Sequence, residues 1–297
     1  MKKLLYIAMT AMLAACSTAK KDFDATGTFE AQETVVSAQQ NGQILAFNIN
    51  EGDKISEGFL VGVIDTSQIF LKIRQLEATK EVYQSQKPDT EKQMATLKTQ
   101  LLNAEKERQR FKELVADGAM PAKALDDADN QVQVIKKQLD ALSSSLNTNT
   151  NALSKQSAAA DAQILQLKDQ LLKCRIVSPK SGTVLEKYTE QGEFAAAGKP
   201  LFKIADTDRM FIRAYLSSSQ LQKVQIGQKV KVYADYGDAK KEYDGTVSWI
   251  SQRSEFTPKT ILTDDERADL VYAVKIAVQN DGFIKIGMYG EVDIIDN

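Results

Sequence analysis

Two sulfur atoms, at Cys16 and Cys174, are the most reactive side chains in this sequence of 297 residues, because histidine is absent. A histidine-dependent acid–base site is therefore excluded, and two cysteines are poor material for a zinc centre. No Gly-x-x-x-x-Gly-Lys-Ser/Thr run occurs, so the chain has no P-loop for nucleotide hydrolysis. The 40 acidic residues are scattered through polar, helix-patterned sequence and read as a solvated surface. Charge is nearly balanced at a formal −2, which leaves no nucleic-acid footprint. No catalytic residue, metal ligand or cofactor is assigned.

The chemistry that remains is at Cys16. Lys2 and Lys3 precede an apolar run at 4–12 that is too short to span a bilayer, and Leu13-Ala14-Ala15-Cys16 follows. This resembles a bacterial lipoprotein signal, which implies thioether lipidation of the Cys16 sulfur and cleavage before it. The plain alternative is an ordinary secretory signal with an incidental cysteine. Cleavage would remove two lysines, leaving 36 basic against 40 acidic residues, a formal −4. Cys174 is then the only thiol left and has no disulfide partner; its place between a helical and a strand pattern suits a small packed residue. Residues 17–25 are polar and read as a tether, and no other segment is long and apolar enough to cross a bilayer. The expected place is a membrane surface in an exported, aqueous compartment.

The elements that follow are organised by a repeat. Gly42, Gly52 and Gly58 recur as Gly182, Gly192 and Gly198, with the same gaps of 10 and 6 and an offset of 140. Ile44 matches Val184, Val61 matches Leu201, Ile64 matches Ile204, and Asp53 and Glu193 follow the middle glycine. Short apolar pairs punctuated by glycine read as tight hairpins, with the six glycines in turns. One copy is too small to bury a core, so two must face each other. The pattern resembles the halves of a lipoyl/biotinyl-type β-sandwich. In carriers of that family a short hairpin with a modifiable lysine joins the halves. Here residues 66–173 take its place and contain no Met-Lys-Met or Asp-Lys-Ala tip, which disfavours a lipoyl- or biotin-carrying enzyme subunit.

That insert has apolar residues spaced by threes and fours. Ile69, Ile73, Leu76, Tyr83, Met94, Leu97, Leu101, Ala104, Phe111 and Val115 mark one arm. Leu125, Ala128, Val132, Ile135, Leu139, Leu142 and Leu146 mark the return, which resumes after a shift of register with Leu153, Ala160, Ile164, Leu167 and Leu171. Gly118 and Pro121 supply a stop and a start between arms of 50 and 53 residues. The spacing predicts an antiparallel hairpin about 75 Å long. Pro88 and the Ser/Thr/Asn-rich stretch at 147–151 lie at similar heights, so a kink across both arms is expected there.

After Thr207 the period changes to two. Leu270, Tyr272, Val274, Ile276 and Val278 alternate strictly, and segments 211–216, 230–233, 245–250 and 290–295 read as further strands. Gly227, Gly237, Gly282 and Gly287 mark turns, and residues 28–35 supply one more strand to a small antiparallel barrel.

Anchor, split lipoyl-like halves, long hairpin and small barrel together resemble the HlyD-type membrane fusion proteins, or periplasmic adaptor proteins, over nearly the whole mature chain. The stretch Glu255-Phe256-Thr257-Pro258-Lys259, Asp264-Asp265-Glu266-Arg267 and 270–276 looks most like adaptors that accompany ABC-type exporters. The resemblance implies an elongated α+β fold. Its parts would be a signal peptide at 1–15, an anchor and tether at 16–26 and a barrel or membrane-proximal strand at 27–35. A lipoyl-like domain would follow at 36–65 plus 174–206, with a hairpin at 66–173 whose tip is 116–121, and a barrel at 207–297. It implies a non-enzymatic adaptor between an inner-membrane ABC transporter and an outer-membrane TolC-like channel, lipid-anchored to the inner membrane in the periplasm and assembled as a homo-oligomer, commonly a hexameric ring. Family members dock on the channel through an arginine, a leucine four later and a serine seven after that. Arg110 and Leu114 match the first two, whereas Pro121 stands in the third place. The alternatives are an adaptor of a proton-driven resistance–nodulation–division pump and a structural coiled-coil lipoprotein.

Overall fold

The computed structural model describes residues 23–237, 239–256 and 270–294; Cys16, the signal segment and 257–269 of the adaptor-like stretch lie outside them. The chain enters through β1 (Ala25–Glu30) and β2 (Glu33–Ser37), followed by β3 (Gly42–Phe47), β4 (Lys54–Ile55) and β5 (Leu60–Ile64). Helices α1 (Ser67–Ser85), α2 (Thr90–Ala116) and α3 (Ala122–Lys173) come next. Then come β6 (Arg175–Val177), β7 (Gly182–Lys187), β8 (Phe194–Ala195), β9 (Pro200–Ala205) and β10 (Arg209–Ser217). The one-turn α4 (Ser218–Leu221), β11 (Lys229–Tyr236), β12 (Ala239–Phe256), β13 (Leu270–Gln279) and β14 (Tyr289–Asp293) finish it.

The two repeat copies do not form one sheet each. One four-stranded sheet runs β2-β9-β7-β4 and the other β6-β5-β3-β8, so each takes two inner strands from one copy and two outer strands from the other. The hydrogen bonds repeat the exchange. The Gly52 N–H donates to the Val184 carbonyl and the Gly192 N–H to the Ile44 carbonyl, both at 2.8 Å. The Gly58 N–H donates to Ser178 and the Gly198 N–H to Ala38, again at 2.8 Å. Ile44, Val61, Ile64, Val184, Leu201 and Ile204, the matched apolar positions, are all buried in the shared core with Phe47 and Phe202.

Two of the six glycines depart from the turn reading. Gly52 and Gly192 are turn residues with φ of 91° and 90°. Gly182 instead opens strand β7, where an added Cβ would lie 2.4 Å from the Ala205 carbonyl oxygen, and Gly42 opens β3, where it would meet the Ile64 side chain at 2.7 Å. At Gly182 close approach alone excludes a side chain; at Gly42 it adds to a φ of 157° that side chains rarely adopt.

The strand expected at 28–35 is two strands. β1 pairs with β10 and β14 in the closed barrel β1-β10-β13-β12-β11-β14, whereas β2 pairs with β9 in the sandwich. The chain changes domain at residues 31–32. β12 also runs well past 245–250, spanning Ala239–Phe256 with register shifts between Val247 and Trp249 and between Ile250 and Ser254. Such irregularities let one long strand serve the curved barrel wall. Phe29, Ile212, Val232, Ala234, Ala214 and Ile276 fill the interior.

The hairpin packs α1 and α2 against α3. Residues 86–89, containing Pro88, interrupt the first arm; Asp89 caps α2 by accepting the Lys92 N–H at 3.1 Å. The second arm does not break. α3 runs as 52 helical residues through 147–151, about 78 Å at about 1.5 Å per residue. One line of the seam keeps its phase: Val132, Leu139, Leu146, Leu153, Ala160 and Leu167 recur every seventh residue, each buried or half-buried. The other line carries the shift of register, stepping eight residues from Leu142 to half-buried Thr150 and then seven to buried Ser157. The Thr150 hydroxyl is the one buried side-chain polar atom among the described residues without a partner. Lys80 pairs with Asp161 at 2.7 Å and Lys136 with Glu105 at 3.0 Å. Both pairs of partners are 25 residues apart along their own arms, so the interruption at Pro88 adds no slip between the arms.

Candidate functional site: the hairpin tip and its mount

The tip is a helix stop followed by a helix start. The Gly118 N–H donates to the Val115 carbonyl at 3.1 Å and the Ala119 N–H to the Leu114 carbonyl at 2.9 Å, with Gly118 at φ 70°. This is the Schellman arrangement, in which a left-handed glycine closes the last turn. Pro121 follows with φ −68° and ψ 144°, the position just before α3, and provides no side-chain cap. A serine hydroxyl in that place could accept a first-turn N–H; proline only presets the backbone.

Arg110 and Leu114, four residues apart, share one face of α2. Arg110 is 64% exposed, pairs with Glu107 and lies 5.5 Å from the Phe111 ring centre. Leu114 is half-buried, and Pro121 is exposed across the turn. The tip thus presents a held guanidinium and an apolar side chain on one arm, with a proline ring on the other. It has no nucleophile–base pair. Among the described residues no cluster of three His, Cys, Asp or Glu side chains is disposed to hold a metal ion.

The mount is rigid at the other end of the hairpin. Cys174 ends α3, is fully buried, and its carbonyl accepts the Ile64 N–H at 2.9 Å. Burial pushes its thiol pKa up and the nearby Asp65 carboxylate adds to this, so the group is an inert packing residue. Asp65 accepts both the Ser67 hydroxyl at 2.6 Å and the Ser67 N–H at 2.8 Å, fixing the start of α1 and holding its own carboxyl below the usual range.

One reciprocal pair was missed by the sequence reading. Asn41 accepts the Ala197 N–H at 2.7 Å, and Ser181, its counterpart in the second copy, accepts the Glu57 N–H at 3.0 Å. A polar residue just before the first glycine of both copies was the available signal.

The comparisons agree with this architecture. Residues 32–207 match the family described as RND MFP, barrel-sandwich hybrid domain. The chain belongs to this membrane fusion protein family, the periplasmic adaptors of tripartite efflux systems. It is 28% identical over 323 residues to a UPF0194 membrane protein of Yersinia enterocolitica, covering 97% of this chain and 96% of that one. The fold is similar to MacA from Actinobacillus actinomycetemcomitans, with a TM-score of 0.54 and 23% identity over 90% of this chain and 76% of that one. It is also similar to the membrane fusion protein Spr0693 from Streptococcus pneumoniae R6, with a TM-score of 0.55 and 18% identity over 92% and 98% of the two chains. Among the described residues no helix is long and apolar enough to cross a membrane.

Proposed function

We propose that this chain is the periplasmic adaptor of an ABC-type exporter, held to the inner membrane by lipid at Cys16 and reaching a TolC-like outer-membrane channel with the tip at Arg110, Leu114 and Pro121. The observation that carries the reading is the hairpin of about 78 Å mounted where a carrier would display its lysine. A globular enzyme has no use for such a reach, whereas a bridge between two membranes does. The barrel serves as the transporter-side domain, and copies of the sandwich pack side by side as a ring, hexameric in this reading. Energy comes from the partner's ATP hydrolysis, since this chain has no P-loop.

The ABC assignment is supported by the stretch from Glu255 to Ile276. Its first residue is tied to the barrel wall by Arg213, whose guanidinium donates to both Glu255 carboxylate oxygens at 2.7 and 3.0 Å. A proton-driven resistance–nodulation–division partner is the second reading, favoured by the name of the matching family. Capture of the tagged, membrane-extracted chain decides between them. An ATPase and permease in the eluate support the first, and a large proton-driven pump the second. Leu114→Asp is expected to lose the outer-membrane channel by at least tenfold while keeping the transporter. Undiminished channel capture would count against docking through the tip.

A further inference from the structure

The chain crosses between barrel and sandwich twice, and the two crossings run side by side. β1 leads into β2 through residues 31–32, and β9 leads into β10 through 206–208. Glu30 lies opposite Phe211 on the barrel side, and Glu33 opposite Ala205 on the sandwich side. A short ribbon at element ends is where domains hinge. Clefts of about 500 and 540 Å³ open beside Asp208 of the second crossing, the first lined by Lys54, Thr183 and Lys285 and the other by Glu57, Lys180 and Arg209. There is room for the two domains to swing.

The second crossing carries side chains that oppose such a swing. Asp206 accepts the N–H groups of Asp208 and Arg209, both at 3.1 Å, and the Arg209 guanidinium at 2.8 Å, which closes residues 206–209 into a turn. Asn280, buried just past the end of β13, ties this turn to the barrel. Its backbone N–H donates to the Asp208 carbonyl at 2.9 Å. Its side-chain amide donates to the Thr207 carbonyl at 2.8 Å and the Ile284 carbonyl at 3.0 Å. The amide oxygen accepts the Gly282 and Ile284 N–H groups, both at 3.0 Å. An amide has two donor hydrogens and two acceptor lone pairs, so its full capacity is used. A carboxylate of the same shape would keep the acceptors and lose both donors.

The same turn is tied to the sandwich. The Thr207 and Thr183 hydroxyls are hydrogen-bonded at 2.8 Å, and Lys54, opposite Thr183 across β4 and β7, pairs with Asp208 at 2.6 Å. Lys54 and Asp208 are both exposed, so that pair holds weakly, and the partly buried hydroxyl pair is the firmer tie.

We propose that Asn280 is a positioning residue: through Thr207 and Thr183 it fixes the angle between barrel and sandwich, so that the two turn as one lever carrying the hairpin. The angle matters because of the reach beyond it. A bend of about 10° at this crossing moves the tip of an arm of about 78 Å by about 14 Å. The use of the lever, delivering a movement of the barrel to the tip, rests on the adaptor reading; the fixed angle does not.

Spin labels at Phe194 in the sandwich and Ile226 in the barrel, both well exposed, report the angle in the purified full chain. Cys16→Ala leaves only the introduced thiols to react, since Cys174 is fully buried. The parent is expected to give one narrow distance distribution; a broad one overturns the proposal. Asn280→Asp is expected to widen it at least twofold. Lys54→Ala with Thr183→Val, which leaves every barrel residue in place, is expected to do the same, and Lys54→Arg with Thr183→Ser to restore the parent width. Unchanged width in either folded variant overturns the proposal, as does failure of the conservative pair to restore it. Circular dichroism reports whether the sheets survive, and if Asn280→Asp unfolds the barrel the sandwich-side pair decides alone. The measurement needs no partner, so loss of the adaptor reading in the capture experiment leaves its outcome standing.

Discussion

A methyl group on Gly182 would lie 2.4 Å from the Ala205 carbonyl oxygen, whereas one on Gly52 would meet nothing within 4 Å. The two glycines resist substitution for different reasons. At Gly52 the cost is the backbone alone, φ 91°, so Gly52→Ala is expected to lose about 1 kcal/mol. At Gly182 two strands must separate, and Gly182→Ala is expected to lose about 3 kcal/mol. Urea unfolding of both variants checks the order; equal losses would show that the sheet gives way freely at β7. Spacing alone revealed that both glycines mattered, because a repeat preserves positions. It did not distinguish turn from close approach, because that difference depends on a neighbour more than 20 residues away in sequence at Ala205. The same limit hid Asn41 and Ser181, whose partners are more than 120 residues away.

At the scale of the helix, one arm is jointed and the other continuous. Pro88 cannot donate a backbone hydrogen bond, and the Asp89 side chain rewards a fresh helix start. Replacing both, Pro88→Ala with Asp89→Ala, is expected to fuse α1 and α2. Spin labels at the exposed positions Val82 and Leu102, on either side of the joint, would then give a narrower distance distribution than in the parent. An unchanged distribution would place the cause of the joint elsewhere. Local preference was a sound guide at Pro88, where about 3 kcal/mol is at stake, and a poor one at 147–151. Each Ser, Thr or Asn there costs only about half a kcal/mol, while Leu146 and Leu153, buried on either side, contribute about 2 kcal/mol each. Packing therefore carries the helix through. Thr150 and Ser157 escaped notice because an apolar pattern cannot register polar residues on a seam.

For the molecule as a whole, the hairpin is the only covalent link between two halves that share both sheets. A chain cut between Asp117 and Gly118 is expected to remain a single folded body, with its β-sheet signal intact on gel filtration. The isolated segment 17–117 is expected to lack stable sheet. Separation of the cut halves under native conditions would show that the exchanged strands contribute little. The split sandwich, hairpin and barrel were all legible in the order of periodicities, because each has its own: clustered pairs with glycine, threes and fours, then twos. The exchange of outer strands was not, since a repeat says that two copies match and not which copy completes which sheet.

That exchange also sets a timetable. A chain delivered through a membrane from its N-terminus emerges with β2 to β5, yet one sheet waits for β8 (Phe194–Ala195) and the other for β9 (Pro200–Ala205), both of which follow the entire hairpin out. The barrel waits longer still, because β1 closes against β14, pairing Ala25 with Val292. For most of its passage the protein is an unpaired set of strand edges, open to wrong partners. Its most vulnerable moment is thus during delivery: β1 can pair with β10 first, but the barrel closes only when β14 supplies its second neighbour.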